Sequence, residues 1–466
     1  MNLENQDVVV LGAGRSGFAA ARLAASRGAS VVVLDTASGD QAAAIEKRAA
    51  DQLPANCTLV TGDAAENYDV DHALLVTSPG IRLDKGWGMK VASRASLVMG
   101  EIELAWRFLP PHVKVVGITG TNGKTTTTSM VGAMARANGL VAVEAGNIGL
   151  PLAEVVLDHP DVQLVALELS SFQLETIIDF RPDVVVWVNF APDHLDRYMS
   201  LEDYRLAKER IFENLGDGDP VVAPVSEADD LPLRDLALTS FTVTPGHATD
   251  ADITVDAEGT LAIRGRKAAN VNDWNVRGRH NYANAAAALG ACLALGLDEA
   301  HCFEAMMSFT GHPHRFEVVA TIDGITYVND SKSTNIHSLD AALHAEASKV
   351  VLIAGGKQKG LDFSVLKPLV HNRARGVVAI GEIRDELARI WQDDVPVVTA
   401  QSLDEAVAEA SQMAGDQGLV LFSPGTSSFD MFSNYEERGE AFRRVVLNRA
   451  AAIGSSNGGN AAVSIN

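Results

Sequence analysis

Residues 116–126 constrain this chain most: Val116-Gly117-Ile118-Thr119-Gly120-Thr121-Asn122-Gly123-Lys124-Thr125-Thr126. A mostly apolar run from Val113 to Ile118 predicts a buried strand. A glycine-rich turn follows, and a helix is expected from the lysine and the run of threonines. That order aims a row of backbone N–H groups and a helix N-terminus at one point, which makes an anion site. Lys124 adds a full positive charge, and Thr125 offers a hydroxyl to a metal ion. The loop from Gly120 to Thr126 therefore implies a nucleoside triphosphate. The common pattern G-x-x-x-x-G-K-[ST] needs glycine five residues before Gly123, where Ile118 stands. The glycines fall at 117, 120 and 123, which counts against an ordinary GTPase or AAA-type ATPase. A bare structural turn has no need of Lys and Thr directly after its last glycine.

The 466 residues allow two to four domains, and 47% hydrophobic content supplies cores for them. The formal net charge of −22 is opposite in sign to that of a nucleic-acid binder. It suits a soluble cytoplasmic protein, and an anionic substrate would have to be met by local positive groups. Cys57, Cys292 and Cys302 form no C-x-x-C pair, so neither a disulfide framework nor a zinc site is signalled. They read as buried thiols of a reducing compartment. The N-terminus lacks a signal-peptide profile, and no apolar run approaches membrane-spanning length. Residues 454–466, rich in Gly, Ser and Asn, are expected to be disordered.

Strand-like and helix-like segments alternate almost throughout, the pattern of parallel sheets in α/β domains. Blocks separate at residues 1–101, 102–311 and 312–453, before the tail 454–466. The first holds Val8–Leu11, the turn Gly12-Ala13-Gly14-Arg15-Ser16-Gly17, an alanine-rich helix, and Val31–Leu34 ending at Asp35. This is a G-x-G-x-x-G βαβ unit with an acid where a ribose hydroxyl would be met. Taken alone it suggests NAD, but the same turn serves any pyrophosphate, and Asp35 reads equally as a polar strand end. The second block opens on the phosphate loop and a helix Thr125–Asn138. Strands are expected at 141–143, 163–169 and 183–189, with a small antiparallel insert in Ser240–Arg264 and a helix from about Asn281 to Leu295. The third begins with a hairpin, Glu317–Ile322 and Ile325–Val328, turned by Asp323-Gly324. Strands at 349–354, 377–380 and 419–422 then alternate with helices. The fold expected is α/β in three domains. The first is Rossmann-like, the central one a P-loop-type mononucleotide-binding domain with that insert, and the last Rossmann-like again.

Candidate chemistry follows the strands. Glu168 ends an apolar run, where a carboxylate can hold the Mg²⁺ that bridges nucleotide phosphates. A solvated or capping carboxylate is an equal reading. Asp193 and His194 can reach a metal or reacting group, or form a turn and cap. Lys208 lies in the helical stretch Leu201–Leu215, where an exposed lysine is the ordinary expectation. Asn281 and Asn284 suit a purine edge or a helix N-cap. Arg315 can neutralise phosphate charge in a transition state. His312 and His314 lack a metal-binding spacing and read as linker histidines. Lys332, in Asn329-Asp330-Ser331-Lys332-Ser333-Thr334-Asn335, suits a carboxylate or belongs to a capped loop-to-helix junction. A second polar turn, Ser423–Ser428, follows another strand.

As a set these segments resemble the Mur ligases, cytoplasmic ATP-dependent amide synthetases of peptidoglycan assembly related to folylpolyglutamate synthetase. Gly120–Thr125 looks like their ATP loop. Leu167–Glu175, Gly146-Asn147-Ile148-Gly149, Asp193-His194-Leu195-Asp196-Arg197, His314-Arg315-Phe316-Glu317 and Asn329-Asp330-Ser331-Lys332 resemble the branch that adds D-glutamate to UDP-N-acetylmuramoyl-L-alanine. They occur in the family's order and across essentially the whole chain. The resemblance implies roles. Lys124 and its loop would bind ATP phosphates. Thr125 and Glu168 would hold one Mg²⁺ and His194 a second. Lys208 matches the lysine that the family carbamylates with CO₂, turning a cation into an anion that supports the metal site. Asn281 and Asn284 would meet adenine, and Arg315 and Asp330 would contact ATP from the third domain. Lys332, Thr334, Lys359 and Ser428 would grip D-glutamate, with Tyr435 beside it. Gly14, Arg15, Ser16, Asp35 and Thr36 would face the uridine end, with Ser78, Gly80 and Asn147 near the diphosphate. The implied enzyme is a monomer that phosphorylates a carboxylate and then joins it to an amine.

The chain departs from the family pattern in places. Thr125 stands where serine is usual, Tyr435 where phenylalanine is expected, and Ala37 where an arginine can help bind the nucleotide. Gly355-Gly356-Lys357-Gln358-Lys359 replaces Gly-Gly-Asp-Gly-Lys. The rival readings are a Mur-type ligase for another amino acid, an NAD-dependent oxidoreductase, and a nucleotide-gated binding protein. The oxidoreductase leaves the phosphate loop unexplained, and the Asp-Asn-Pro-Arg expected of a diamino-acid ligase is absent from the sequence.

Overall fold

The computed structural model describes the chain except residues 72, 195–196, 244–250, 272–273, 275–277, 312, 346–347, 457–462 and 466. It divides into two compact units, Met1–Asp273 with Ala283–Ser308, and Trp274–Tyr282 with Phe309–Asn466. No helix among the described residues is long and apolar enough to cross a membrane.

The first unit contains two sheets. One is wholly parallel, with β1 (Asp7–Leu11), β2 (Ser30–Asp35), β3 (Cys57–Thr61), β4 (Leu74–Thr77) and β5 (Leu97–Gly100) in the order β3-β2-β1-β4-β5. Val8, Val9 and Val10 are all buried, which is why β1 reads as a continuous apolar run rather than an alternating one. Strand order reverses at β1, so the ligand crevice opens at the carboxyl ends of β1 and β4.

The second sheet comprises β6 (Lys114–Thr119), β7 (Ala142–Gly146), β8 (Leu164–Glu168), β9 (Val184–Trp187), β10 (Pro220–Pro224), β11 (Ala237–Thr242), β12 (Ile253–Val255), β13 (Thr260–Ile263) and β14 (Arg266–Asn270). Their order is β14-β13-β12-β11-β10-β9-β6-β8-β7. Parallel register sets Ile118 beside Glu168 and Thr119 beside Trp187, so the loops after β6, β8 and β9 leave the sheet at one level. The expected insert is antiparallel only from β12 to β14. β11 pairs parallel with both neighbours, and the segment extends the main sheet. The reason is burial: Phe241 and Ile253 join the interior, and the helix Arg279–Ala294 packs so closely that a Cβ at Gly290 would lie 2.9 Å from Val222.

The second unit has β15 (Glu317–Ile322), β16 (Ile325–Asn329), β17 (Val350–Ala354), β18 (Ala374–Ala379), β19 (Val397–Thr399), β20 (Gly418–Phe422) and β21 (Val463–Ile465). They run β19-β18-β17-β20-β16-β15-β21. The hairpin turn has left-handed backbone at both Asp323 (φ 48°) and Gly324 (φ 83°), the requirement of a type I′ turn. Two elements reach into the tail, residues 454–466. Helix Tyr435–Ser456 carries into it, and Val463–Ile465 pairs antiparallel with β15, whose outer edge otherwise offers unpaired backbone groups. Residues 457–462 and 466 lie outside the described residues.

Candidate active site

After β6 the chain turns through Gly120 (φ 153°) and Gly123 (φ 81°) into the helix Lys124–Ala137. Close approach demands both glycines. A Cβ at Gly120 would stand 3.0 Å from Val188 Cβ, and one at Gly123 would stand 2.0 Å from Asn284 Oδ1. Asn189, just beyond β9, grips the turn. Its carbonyl accepts from Thr121 N and its Oδ1 from Asn122 N, both at 2.9 Å, and its Nδ2 donates to Asn122 O at 3.0 Å. Lys124 curls over the turn, Nζ donating to the carbonyls of Gly120 and Thr121 at 2.9 Å each. The helix continues with buried Thr125 and Thr126.

Lys208 is not the exposed residue that a helical lysine suggests. On helix Leu201–Glu209 it is 1% exposed, and its Nζ donates to the Gly120 carbonyl at 2.8 Å. It lies 4.8 Å from the centre of the Tyr204 ring, one helical turn earlier, and the Tyr204 hydroxyl is 3.3 Å from Thr121 Oγ1. Burial, then the charge of Lys124, holds the Lys208 amine well below the ordinary lysine pKa, against Asp193 and Glu168. Two lysines thus meet at one carbonyl, and the buried one is driven toward its neutral form.

Glu168 ends β8 and is buried. Asn147 Nδ2 donates to its Oε1 at 2.8 Å, while Oε2 has no hydrogen-bond partner. Leaving a carboxylate oxygen buried and unpaired is costly, and a cation would relieve it. Thr125 and Glu168 are hard oxygen donors of the type Mg²⁺ takes. Among the described residues no group of three or more His, Cys, Asp or Glu stands ready to hold a metal. An ion here would share the two protein oxygens with phosphate and water. His194 adopts φ 54°, a strained conformation for a side-chain-bearing residue. Its ring lies 4.9 Å from Phe172 and 5.8 Å from Tyr204. Arg197 also lies over Phe172, 4.0 Å from its ring centre, and pairs with Glu175 at 2.6 Å. Leu195 and Asp196 of the same segment lie outside the described residues.

At the first sheet, Asp35 accepts from Ala13 N at 2.8 Å and Ala37 N at 2.9 Å, so both its oxygens brace backbone. Ser78 Oγ donates to Gly12 O at 3.4 Å. Gly17 permits helix and strand to close, since a Cβ there would be 1.8 Å from Gly12 O. Gly14 and Gly80 have nothing within 4 Å of a built Cβ, which leaves their backbone open to a ligand. Ser16 and Thr36 are half-buried. Arg15 turns away from the sheet to Gly149 O at 2.7 Å and Glu154 at 3.2 Å. Asn147 N donates to Glu168 O at 2.9 Å, which links the candidate diphosphate residues to the candidate metal ligand.

In the second unit, Arg315 stands between two left-handed residues, His314 (φ 63°) and Phe316 (φ 49°), another strained segment. Asp330 is buried, accepts from Phe316 N at 3.2 Å and Ser423 Oγ at 2.9 Å, and is pushed up to about 7 by that burial. Buried Arg438 ties the polar turns together, donating to Ser331 Oγ at 3.0 Å, Ser331 O at 2.7 Å and Thr426 O at 3.0 Å. Lys332 lies 5.1 Å from the Tyr435 ring centre. Ser428 is buried, Thr334 is half-buried, and Lys359 is exposed. The altered Lys357 pairs with Glu382 at 3.0 Å. Asn281 is buried and, like Asn284, lies inside the helix that starts at Arg279, so neither residue is its N-cap. His312 lies outside the described residues.

Asn189, Tyr204 and Arg438 are the residues that the sequence reading did not assign a role. Tyr204 was within reach, because it lies four residues before Lys208 on one helix face. Asn189 and Arg438 carry no local signal.

A parallel α/β protein with a lysine-bearing phosphate loop at the level of a buried carboxylate is a nucleotide-binding protein by construction. Family models place it more closely: Mur ligase MurD-like, N-terminal domain, at residues 6–100; Mur ligase middle domain at 118–292; and Mur ligase, glutamate ligase domain, at 314–425. The chain belongs to the Mur ligase family. It is 38% identical over 449 residues to the UDP-N-acetylmuramoylalanine–D-glutamate ligase of Geotalea uraniireducens, covering 96% of this chain and 98% of that one. It is 39% identical over 458 residues to the protein of that name from Geobacter metallireducens, covering 96% and 98%. The fold matches the MurF ligase of Thermotoga maritima in complex with ADP at TM-score 0.61 and 17% identity, over 90% of this chain and 96% of that one. The UDP-N-acetylmuramate-alanine ligase MurC of Thermotoga maritima matches at 0.58 and 20%, over 96% and 99%.

Proposed function

We propose that this chain is an ATP-dependent ligase that joins D-glutamate to UDP-N-acetylmuramoyl-L-alanine in peptidoglycan precursor synthesis. The observation that carries the reading is the meeting of Lys124 and buried Lys208 on the Gly120 carbonyl, in a chain that aligns almost end to end with ligases of that name.

A free carboxylate is a poor electrophile. In this reading the γ-phosphoryl group of ATP passes to the L-alanyl carboxylate, the D-glutamate amine attacks the acyl phosphate, and the tetrahedral intermediate collapses to amide and phosphate. Lys124 and the N–H groups of Gly120–Thr126 hold the phosphates where negative charge gathers. Two Mg²⁺ ions, one on Thr125 and Glu168 and one on His194, would neutralise that charge. Asn147 keeps Glu168 oriented, and Tyr204 and Asn189 keep the loop in shape. Neutral Lys208 is the form that can attack CO₂: an N–C bond forms, a proton leaves, and a carbamate anion takes its place beside the metals. Gly14, Arg15, Ser16, Asp35, Thr36, Ser78, Gly80 and Asn147 receive the UDP portion. Asn281, Asn284, Arg315 and Asp330 receive ATP, and Lys332, Thr334, Lys359, Ser428 and Tyr435 receive D-glutamate. The working divisions are residues 1–101 for UDP-substrate, 102–311 for ATP and 312–453 for amino acid, in a cytoplasmic monomer that engages neither nucleic acid nor membrane.

The test is phosphate release from ATP with UDP-N-acetylmuramoyl-L-alanine and a panel of D- and L-amino acids. D-glutamate alone should drive release. Release driven by another amino acid moves the chain to another branch, and nicotinamide turnover without release overturns the reading.

A further inference from the structure

The loop after β9 is a template for the phosphate turn. Besides the Asn189 bonds to Thr121 and Asn122, Thr121 Oγ1 donates to Ala191 O at 3.0 Å and accepts from Ala191 N at 3.0 Å. Val188 N, where the loop begins, donates to Thr119 O at 2.9 Å. The shape of the turn therefore follows the position of residues 188–191, and that loop needs support of its own.

Glu227 supplies it. This half-buried residue lies on the short helix Val225–Ala228 that follows β10. Its Oε2 accepts from the Trp187 indole Nε1 at 2.7 Å, and its Oε1 accepts from Phe190 N at 3.1 Å. One carboxylate thus holds the chain on both sides of Asn189. The Trp187 ring is fully buried, stacked 6.3 Å from the Phe190 ring and 5.8 Å from that of Phe212, so its indole donor is fixed in place. The same segment reaches the helix that carries Lys208. Arg205 Nη2 donates to Asp230 O, and its guanidinium stands 5.8 Å from the Phe190 ring centre. Phe190 in turn lies 5.4 Å from the Tyr204 ring. Residues 227–230 therefore back both elements that meet at Gly120 and Thr121.

We infer that Glu227 is a positioning residue for the nucleotide site, acting through Asn189 on the phosphate turn. A carboxylate suits the place because it only accepts, and two donors converge on it. Glutamine has nearly the same size but one acceptor oxygen, and its amide nitrogen would face one of the two N–H groups. Trp187 or Phe190 would then lose its partner, and the loop that carries Asn189 would loosen its hold on the turn. The inference rests on the proposed use of ATP at this turn.

The test is Glu227→Gln in the full chain. Without ligand, amide hydrogen exchange should speed up in the peptide that holds Thr121 and Asn122. Calorimetric affinity for ATP with Mg²⁺ should fall about fivefold, the scale of one lost hydrogen bond. KM for ATP should rise by a similar factor, while KM for D-glutamate and for the UDP substrate stays within about twofold. In a Trp187→Phe background, Glu227→Gln should cost less than about twofold further, because the remaining oxygen can serve Phe190. Wild-type exchange and ATP affinity in Glu227→Gln would overturn the inference. So would an equal loss for all three substrates, or an undiminished cost in the Trp187→Phe background. If Glu227→Gln does not fold, Trp187→Phe alone carries the test, and unchanged exchange at Thr121 and Asn122 overturns it. Exchange and nucleotide affinity are read without D-glutamate, so the ligase reading can fail while this inference stands.

Discussion

Two glycine-rich turns, each joining a parallel strand to a helix, serve different chemistry in this molecule. The Gly12–Gly17 turn is braced from below by a carboxylate, Asp35, whose oxygens both accept backbone N–H groups. Of the cations near it, Arg15 points to Gly149 and Glu154, and Arg48 donates to the Ala13 carbonyl at 3.4 Å. The Gly120–Gly123 turn is loaded from above by two lysines that donate to its own carbonyls, and Asn189 braces it from the side. One turn offers open backbone at Gly14. The other offers the Lys124 charge and a Lys208 amine driven toward its neutral form, beside the unpaired Glu168 oxygen. The shared backbone device says only that an anion is welcome; the charge around it separates a turn that positions from a turn that reacts.

That contrast is broken most easily at the lysines. Lys124→Ala should lower turnover by at least about 10²-fold, the scale of losing one preorganised charge-stabilising donor. Near-normal kcat would remove the reactive role from this turn. Lys208→Ala should be comparably inactive and partly restored by acetate, a carboxylate in place of the lost carbamate. Steady-state kinetics with and without acetate reads this.

The glycines sharpen the contrast. Gly123→Ala sets a Cβ against Asn284 at a φ of 81° and should destabilise the chain by about 1–3 kcal/mol. Gly14→Ala meets nothing and should stay within about 0.5 kcal/mol. Denaturant midpoints compare the two. Asp35→Ala frees two backbone N–H groups and should raise KM for the UDP substrate about tenfold, near 1.4 kcal/mol, with kcat little changed.

The smallest expected effect is a pH slope. Lys208 titrates below its unfolded value of 10.5, so between the two the unfolded chain binds more protons. Stability contributed by the neutral amine is present above 10.5 and is lost as pH falls toward the folded pKa. Lys208→Met should flatten that rise, as read by denaturant unfolding across alkaline pH.

Much of this was legible in sequence because it is local. The strand–turn–helix order of both turns, the Asp323-Gly324 hairpin and the Mur-type segments all lie within a few residues. What escaped depends on the chain returning from a distance. Lys208 reads locally as an exposed helix lysine, and only the family resemblance singled it out before packing showed it buried against the Gly120 carbonyl. Asn189 and Arg438 act on backbone far away in sequence, at Asn122 and Ser331. The antiparallel insert was misjudged because alternation does not say whether a short strand joins an existing sheet, and β11 and β12 do.

The most direct measurement is the fate of carboxylate oxygen. UDP-N-acetylmuramoyl-L-alanine labelled with ¹⁸O in its L-alanyl carboxylate, turned over with ATP and D-glutamate, should release phosphate carrying one ¹⁸O atom, because the acyl phosphate collapses with the substrate's own oxygen. Unlabelled phosphate alongside product amide would contradict carboxylate activation at the lysine-loaded turn.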